Sequence, residues 1–260
     1  MKTVMMAAQS LALGHRSVMI AGGMESMSNV PFYFPRNAAF GHQQALDGII
    51  KDGLWDCYNN VHMGSCAEKT AAEYKISREV QDEHAITSYK RSAEAWAKGL
   101  FKNEIVPVKI QDKKGEKLVI EDEEYKNVNF DKIPSLKPVF QKNGTVTAAN
   151  ASTLNDGASA LLLMTAQRAQ ELGLKPLARI VSYADAATEP VKFTIAPSLA
   201  LPKALKSANV SVNDISLFEI NEAFSVVVRV NEQLLGLDPA KVNVNGGGVS
   251  LGMSQTMIGF

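Results

Sequence analysis

Asn221 and Glu222 stand between an apolar run that ends at Ile220 and a helical pattern that begins at Ala223. In α/β folds such strand-to-helix junctions present reactive groups. A side-chain amide placed there can hold a water molecule or donate a hydrogen bond to a developing oxyanion. The spacing alone favours a plainer interpretation, in which Asn221 caps the following helix.

A second stretch with chemical potential is Gly248-Val249-Ser250-Leu251-Gly252, which has the G-x-S-x-G form of a nucleophile elbow. That mechanism needs an acid and then a histidine after the serine, and none of the residues printed after Gly252 is His, Asp or Glu. A serine hydrolase is therefore not expected. The overlapping Asn245-Gly-Gly-Gly lacks the Gly-Lys-Ser/Thr ending of a phosphate-binding loop.

Cys57, His62 and Cys66 offer three soft metal ligands close together. Their spacing matches no zinc module, and no fourth ligand stands at a recognisable interval, so a zinc site is not expected. Two cysteines are also too few for a disulfide framework. The cysteine usage favours a reducing, intracellular setting.

The stretch from Asn143 to Met164 combines a turn, a run of small and polar residues, and a second turn before an apolar strand. Small side chains beside a buried strand allow a ligand to approach the backbone, whereas polar groups such as Thr147 and Asn150 must find partners. This stretch therefore predicts a slot that binds a ligand, with a tight interdomain turn as an equally good alternative.

The hydrophobic pattern predicts an α/β protein in which helices alternate with strands. Ser77 and Gly99 delimit one predicted helix, with Ala85, Tyr89, Ala93 and Trp96 on its apolar stripe. A capping box from Ser65 to Glu68 predicts another helix, which starts near Cys66. The predicted helices are 1–13, 66–74, 77–98, 167–172, 198–207 and 223–235; the predicted strands are 17–21, 158–164, 177–184, 216–220 and 242–244, with a hairpin of 105–110 and 117–120.

Charge and composition exclude several classes of partner. Lys and Arg number 27 and Asp and Glu 27, so the chain shows no bias towards nucleic acid or an anionic membrane. No apolar run approaches the roughly 18 to 20 residues that span a bilayer. The sequence therefore predicts neither a nucleic-acid nor a membrane partner.

Five stretches, in this order along the chain, together resemble the thiolase family. They are AGGMESMS (21–28), HMGSCAE (62–68), TVTAANASTLNDGA (145–158), NEAF (221–224) and NVNGGGVSLG (243–252). The form His-Met-Gly-Ser-Cys and the segment EDEEYK (121–126) resemble the mitochondrial acetoacetyl-CoA branch of the family. Any one stretch alone is weak, but the ordered set is specific.

The resemblance implies a layered αβαβα fold of two related halves. It places an N-terminal domain at 1–170, including an inserted loop domain at about 60–140, and a C-terminal domain at 175–260. It implies joining of two acetyl-CoA molecules into acetoacetyl-CoA, or cleavage of that product by CoA, through a cysteine thiolate and oxyanion holes. The expected ligands are CoA thioesters without a prosthetic group, and the expected assembly of a full-length protein is a homo-oligomer. The expected compartment is mitochondrial, with a cytoplasmic alternative.

The resemblance also assigns roles to individual positions. Asn221 matches the asparagine that holds an oxyanion-hole water. Pocket-lining positions are matched by His62, Met63, Ala223 and Phe224; CoA contacts by Tyr89, Asn127, Val128, Asn129, Lys132 and Ser152; a potassium site by Tyr89, Ala148, Ala149, Ala151 and Val249. Asn127 and Asn129 stand where the family is expected to carry charged residues.

Three family residues have no counterpart here. The nucleophilic cysteine belongs to a segment that precedes the helix starting at Met1, and Met253-Ser254 stand where the family has His-Pro. A second reactive cysteine is expected beyond that point. The resemblance therefore predicts a chain truncated at both ends and inactive by itself. A non-catalytic CoA-binding or subunit-pairing protein, or a fragment without function, are the competing expectations.

Overall fold

The computed structural model describes residues 1–37, 39–113 and 115–252. The helices are α1 (Lys2–Ala12), α2 (Met63–Glu73), α3 (Arg78–Ala97), α4 (Ala166–Glu171), α5 (Ala196–Ala208), α6 (Ser225–Leu235) and α7 (Gly248–Leu251). The strands are β1 (Val18–Ser26), β2 (Phe32–Tyr33), β3 (Leu46–Asp47), β4 (Trp55–Asp56), β5 (Val61–His62), β6 (Val108–Asp112), β7 (Gly115–Val119) and β8 (Asp156–Met164). Short 3-10 turns connect many of them.

Strands β1 and β8 form an antiparallel ribbon in which Val18 lies opposite Met164 and Ser26 lies opposite Asp156. Both predicted strands are confirmed, and both are longer than the sequence indicated. The nearly all-apolar run 17–21 is typical of a strand buried on both faces. That expectation is wrong for β1, because α1 packs on one side while Ile20 and Met24 stay 75% and 68% exposed on the other. Residues 143–155, called the small-residue loop below, lead directly into the start of β8.

The main core lies between α2, α6 and the segment that precedes β8. Ala67 and Ala71 of α2 pack with Val226 and Val230 of α6, and Val146 fills the space between them. The apolar positions recur every three or four residues on both helices, so one face of each is buried. A second cluster joins Phe218, Val228, Leu237 and Val242.

Two predicted helix starts are corrected. Helix α2 begins at Met63, and its cap is the His62 imidazole, whose Nδ1 accepts from the Gly64 nitrogen at 3.0 Å. The predicted capping box at Ser65 and Glu68 is wrong, because the Glu68 carboxylate accepts hydrogen bonds from the backbone of Thr145 and Val146. Helix α6 begins at Ser225 after an extended Phe224, so Asn221 does not cap it.

Helix α3 follows its prediction at both ends. Ser77 accepts from the Val80 nitrogen at 3.4 Å, and Gly99 adopts a left-handed φ of 68° after the last turn. The buried stripe includes Ala85 and Tyr89, but Ala93 is exposed. The hairpin of β6 and β7 is also confirmed, with Val108 opposite Val119.

The strand predictions of the second half are largely wrong. Residues 177–184 form no strand in the described chain, and the Leu177 side chain is fully exposed. The apolar run was misleading because a strand also needs a backbone partner. The segments around Phe218 and Val242 form only a single parallel bridge, although that pairing is the one expected of an α/β layer.

Candidate functional site

The small-residue loop and the loop that carries Asn221 are joined through their backbones. The Ser152 nitrogen donates to the Ala223 carbonyl oxygen at 3.1 Å, and the Ser225 nitrogen donates to the Asn150 carbonyl oxygen at 2.8 Å. Ala151 and Phe224 form the antiparallel bridge between these two bonds. The structure therefore brings together four of the predicted site residues, Ala151, Ser152, Ala223 and Phe224.

Asn150 fixes the small-residue loop from inside. Its Oδ1 accepts from the Thr147 nitrogen at 2.9 Å, and its Nδ2 donates to the Thr145 carbonyl oxygen at 3.0 Å and to Asp82 Oδ1 at 2.9 Å. Asp82 in turn accepts from Arg78 at 2.6 Å. Asn150 and Thr147 are fully buried, so these hydrogen bonds satisfy the loop's own buried polar groups.

The Glu68 carboxylate anchors the start of the same loop. It accepts from the Thr145 and Val146 nitrogens at 2.9 Å and from Thr145 Oγ1 at 2.8 Å. A Cβ at Gly144 would come within 2.2 Å of Glu68 Oε1, so only glycine allows this approach. Helix α2 is thereby tied to the loop by a buried carboxylate that sequence reasoning had assigned to a cap.

An aromatic series connects His62 to this pair of loops. The His62 ring stacks on Phe140 with 4.8 Å between centroids, and Phe140 contacts Phe224 edge-on at 6.2 Å. Burial lowers the pKa of His62, which suits its neutral role as the acceptor at the start of α2. The predicted pocket residues His62 and Phe224 therefore lie along one apolar wall, and Met63 follows directly, half-buried.

Asn221 is exposed, whereas the residue after it is the most enclosed carboxylate of the site. Glu222 is fully buried and accepts from Ser88 Oγ at 2.7 Å, from Asn243 Nδ2 at 2.8 Å and from the Val249 nitrogen at 3.1 Å. His84 Nε2 lies 3.2 Å from Glu222 Oε1. Sequence reasoning noted Glu222 but missed its partners, because polar residues on α3 carry no signal that points to one remote carboxylate.

Tyr89 occupies a separate part of the structure. It is buried with Ala85 and Val249, against Val128, and its hydroxyl donates to Glu124 Oε1 at 3.3 Å. Burial, together with the Glu124 charge, raises the pKa of Tyr89, so the phenol stays protonated. Two positions of the predicted potassium site, Tyr89 and Val249, therefore lie together.

The remaining predicted positions lie either in the small-residue loop or near Val128, which packs beside Tyr89. Ala149 is buried and Ala151 half-buried in the small-residue loop, and Ala148 is exposed there. Asn127, Asn129 and Lys132 are exposed near the short turns that flank Val128. No contact in the described part of the chain joins these three side chains to Ser152, so their predicted role as CoA contacts stays a prediction.

The alternative motifs have structural explanations. Ser250 Oγ is buried within 2.8 Å of Ser88 Oγ and 2.7 Å of Ser92 Oγ, so it is not presented as a nucleophile. A Cβ at Gly247 would come within 2.6 Å of Glu222 Cδ, which explains a glycine there without a phosphate ligand. Residues 1–37, 39–113 and 115–252 contain no group of three metal-binding side chains and no helix that could cross a membrane.

Comparison with known proteins decides the family. The model of the thiolase N-terminal domain matches residues 1–167, and the model of the thiolase C-terminal domain matches residues 174–259. The chain is a member of the thiolase family. The thiolase fold predicted from the resemblance is confirmed by solved structures. A thiolase from Ascaris suum in complex with coenzyme A has a TM-score of 0.92 at 46% identity, over 97% of this chain and 65% of that one. The Bacillus anthracis acetyl-CoA acetyltransferase has a TM-score of 0.93 at 40% identity, over 96% and 64%.

Curated relatives narrow the branch within the family. Acetyl-CoA acetyltransferase A, mitochondrial, of Xenopus laevis is 60% identical and the mitochondrial acetyl-CoA acetyltransferase of Rattus norvegicus is 59% identical, each over all of this chain. The chain spans 62% of the length of both relatives. The similarity to the acetoacetyl-CoA branch, first indicated by residues 62–66 and 121–126, is therefore supported along the whole chain.

Proposed function

We propose that this chain is part of an acetyl-CoA C-acetyltransferase, which joins two acetyl-CoA molecules by Claisen condensation or cleaves acetoacetyl-CoA with CoA. The observation that carries the proposal is the backbone pairing of Ala151–Ser152 with Ala223–Phe224, beside the exposed amide of Asn221. Relatives at 59% and 60% identity are named acetyl-CoA acetyltransferases, which favours acyl transfer over a non-catalytic CoA-binding role.

In this proposal the small-residue loop binds the thioester end of CoA. Its internal polar groups are satisfied by Asn150 and Glu68, so its shape is set before a ligand arrives. The wall formed by His62, Phe140 and Phe224 gives an apolar side to the slot. A neutral His62 suits this wall, because it adds no charge beside an uncharged acyl group.

Asn221 is assigned the oxyanion role. During acyl transfer a thiolate attacks the thioester carbonyl carbon, the carbonyl oxygen takes up negative charge, and CoA leaves when that oxyanion collapses. An amide held at a fixed place, directly or through one water, stabilises that oxygen more in the transition state than in the substrate. The exposed position of Asn221 on a tightly bonded loop fits this task.

The acyl-accepting thiol is assigned outside these 260 residues. Burial raises the pKa of the Cys66 thiol, which opposes formation of the thiolate, and Cys57 is exposed on the short connection between β4 and β5. No histidine hydrogen-bonds to either sulfur within the described ranges. We therefore expect the 260-residue chain by itself to show no thiolysis of acetoacetyl-CoA.

A potassium ion, a homo-oligomeric assembly and a mitochondrial location complete the proposal. The carbonyl oxygens of Ala148, Ala149 and Ala151 accept no hydrogen bond from described residues, and such oxygens suit a hard cation. Equal thiolysis rates in potassium and sodium buffers would contradict the proposed potassium site.

The relatives named mitochondrial support a mitochondrial location.

The test uses the natural polypeptide, purified from its source with an antibody against an exposed segment. Intact mass and CoA-dependent cleavage of acetoacetyl-CoA are measured on the same sample. We expect a mass above 28.1 kDa and cleavage that requires CoA. A natural polypeptide of 28.1 kDa that neither cleaves acetoacetyl-CoA nor binds CoA in calorimetry would overturn the proposal.

A further inference from the structure

We propose that Asn243 is a positioning residue for Asn221, acting through the backbone of Ile220 and oriented by Glu222. The inference rests on the proposed function in that Asn221 is taken as the oxyanion residue. Asn243 lies in a different segment and is 1% exposed, so it touches no ligand itself.

The Asn243 side chain binds the Ile220 backbone twice. Its Oδ1 accepts from the Ile220 nitrogen at 2.7 Å, and its Nδ2 donates to the Ile220 carbonyl oxygen at 2.8 Å. The amide thereby takes the place of a neighbouring strand beside the residue that precedes Asn221. Asn243 adopts a left-handed φ of 47°, a conformation that asparagine and glycine accept more readily than other residues.

Glu222 decides which way this amide points. Its buried Oε1 accepts from Asn243 Nδ2 at 2.8 Å. Burial opposes ionisation, but His84, Asn243 and Ser88 outweigh it and hold the pKa of Glu222 below its ordinary value. A carboxylate only accepts hydrogen bonds, so the NH2 group of Asn243 must face it and the Oδ1 atom must face the Ile220 nitrogen.

Asn221 is consequently held on both sides. Ile220 before it is bound by Asn243, Glu222 after it is bound by α3 and α7, and the Ala223 carbonyl beyond is bound by the Ser152 nitrogen. The Asn221 side chain is left exposed on this fixed backbone. A displacement of about 1 Å at a reacting group can cost on the order of 100-fold in rate. Loss of the Asn243 amide should therefore lower kcat more than it changes substrate binding.

The first test is Asn243→Gly in the natural polypeptide, because glycine accepts the left-handed φ and lacks the side-chain amide. Asn209→Gly is the matched control, since Asn209 is exposed with a similar φ of 54° at the end of α5. We expect kcat for acetoacetyl-CoA cleavage to fall about 10- to 100-fold in Asn243→Gly, with KM changed less than about threefold. The control should keep the parent values. An unchanged kcat in Asn243→Gly would overturn the inference.

A double-mutant cycle separates positioning from general structural damage. If Asn243 acts through Asn221, then Asn243→Gly should cost little further activity once Asn221→Ala is present. Full additivity of the two losses would contradict the inference. Full activity of Asn221→Ala would instead contradict the oxyanion role in the proposed function.

Hydrogen exchange gives a readout that does not depend on turnover. Amides of residues 220–224 should exchange faster in Asn243→Gly than in the parent, whereas Asn209→Gly should leave them unchanged. This result is expected even if the natural polypeptide cleaves no acetoacetyl-CoA, so failure of the proposed function remains distinguishable. Unchanged exchange at these amides in Asn243→Gly would overturn the positioning role.

Discussion

The Ser152 backbone nitrogen donates to the Ala223 carbonyl oxygen across 3.1 Å. Ser152 belongs to the part matched by the thiolase N-terminal domain, and Ala223 belongs to the part matched by the C-terminal domain. The bond therefore joins the two halves of the chain at the candidate site. Because it uses backbone atoms only, its geometry depends on the side chains that hold each loop in place.

Asn150→Ala should destabilise the protein more than a surface substitution does. It removes a buried amide that bonds the Thr147 nitrogen, the Thr145 carbonyl oxygen and Asp82 Oδ1, and these three atoms lose that partner. We expect a loss of about 2 to 4 kcal/mol in the free energy of unfolding, measured by urea denaturation. Asn103→Ala, at an exposed asparagine, is the control. Equal midpoints for the two variants would contradict the role given to Asn150.

Glu68→Gln tests the buried carboxylate that binds the start of the same loop. The substitution keeps the size of the side chain but turns an NH2 group towards the donors of Thr145 and Val146. We expect a loss of about 2 to 3 kcal/mol in the free energy of unfolding. Glu73→Gln, at an exposed position of the same helix, should change stability by no more than about 0.5 kcal/mol. A capping role for Glu68 would produce a much smaller difference between the two.

Gly247→Ala tests the close approach of the glycine-rich segment to Glu222. The added Cβ would come within 2.6 Å of Glu222 Cδ, so the buried carboxylate must move away from its hydrogen-bond donors. We expect a loss of about 2 kcal/mol or more, read as a lower midpoint in thermal unfolding. Gly53→Ala has open space around the added carbon and serves as the control. A Gly247→Ala protein as stable as the control would show that this packing is wrong.

Glu219 should give the stability a measurable pH dependence. Glu219 is exposed, but the protein packed around it reduces its hydration, and this desolvation, followed by the negative charge of Glu222, raises the pKa of Glu219 to about 7. The folded protein therefore holds a proton that the unfolded chain releases, and the free energy of unfolding should fall as pH rises from about 4.5 to about 7. Glu219→Gln should flatten this part of the profile. An NMR titration that places the Glu219 pKa near 4.5 would contradict the prediction.

The sequence was sufficient for elements whose signals are local. Helix α3 has its cap at Ser77 and its stop at Gly99, and the apolar runs of β1 and β8 were recognised directly. The ordered thiolase motifs also identified the fold. The helix and strand predictions rest on residues that lie close together in the chain, whereas the identification of the fold rests on the order of motifs from residue 21 to residue 252.

Interactions between distant residues could not be predicted in the same way. Glu68 fits a capping box by spacing, but its partners are Thr145 and Val146. Residues 177–184 have the composition of a strand, yet strand formation depends on a neighbour that composition does not reveal. Asn243 appeared only as part of a motif, and its role follows from its contact with Ile220. The domain boundaries at 170 and 175 stay predictions.

The most direct test of the account is the position of the acyl group after the natural polypeptide is incubated with acetyl-CoA alone. Acid quenching, proteolysis and mass spectrometry locate the acetylated residue. We predict a thioester on a cysteine other than Cys57 and Cys66, formed with release of CoA, because neither of these thiols is suited to attack. An acetyl group on Cys57 or Cys66, or none at all in a polypeptide that cleaves no acetoacetyl-CoA, would contradict the account.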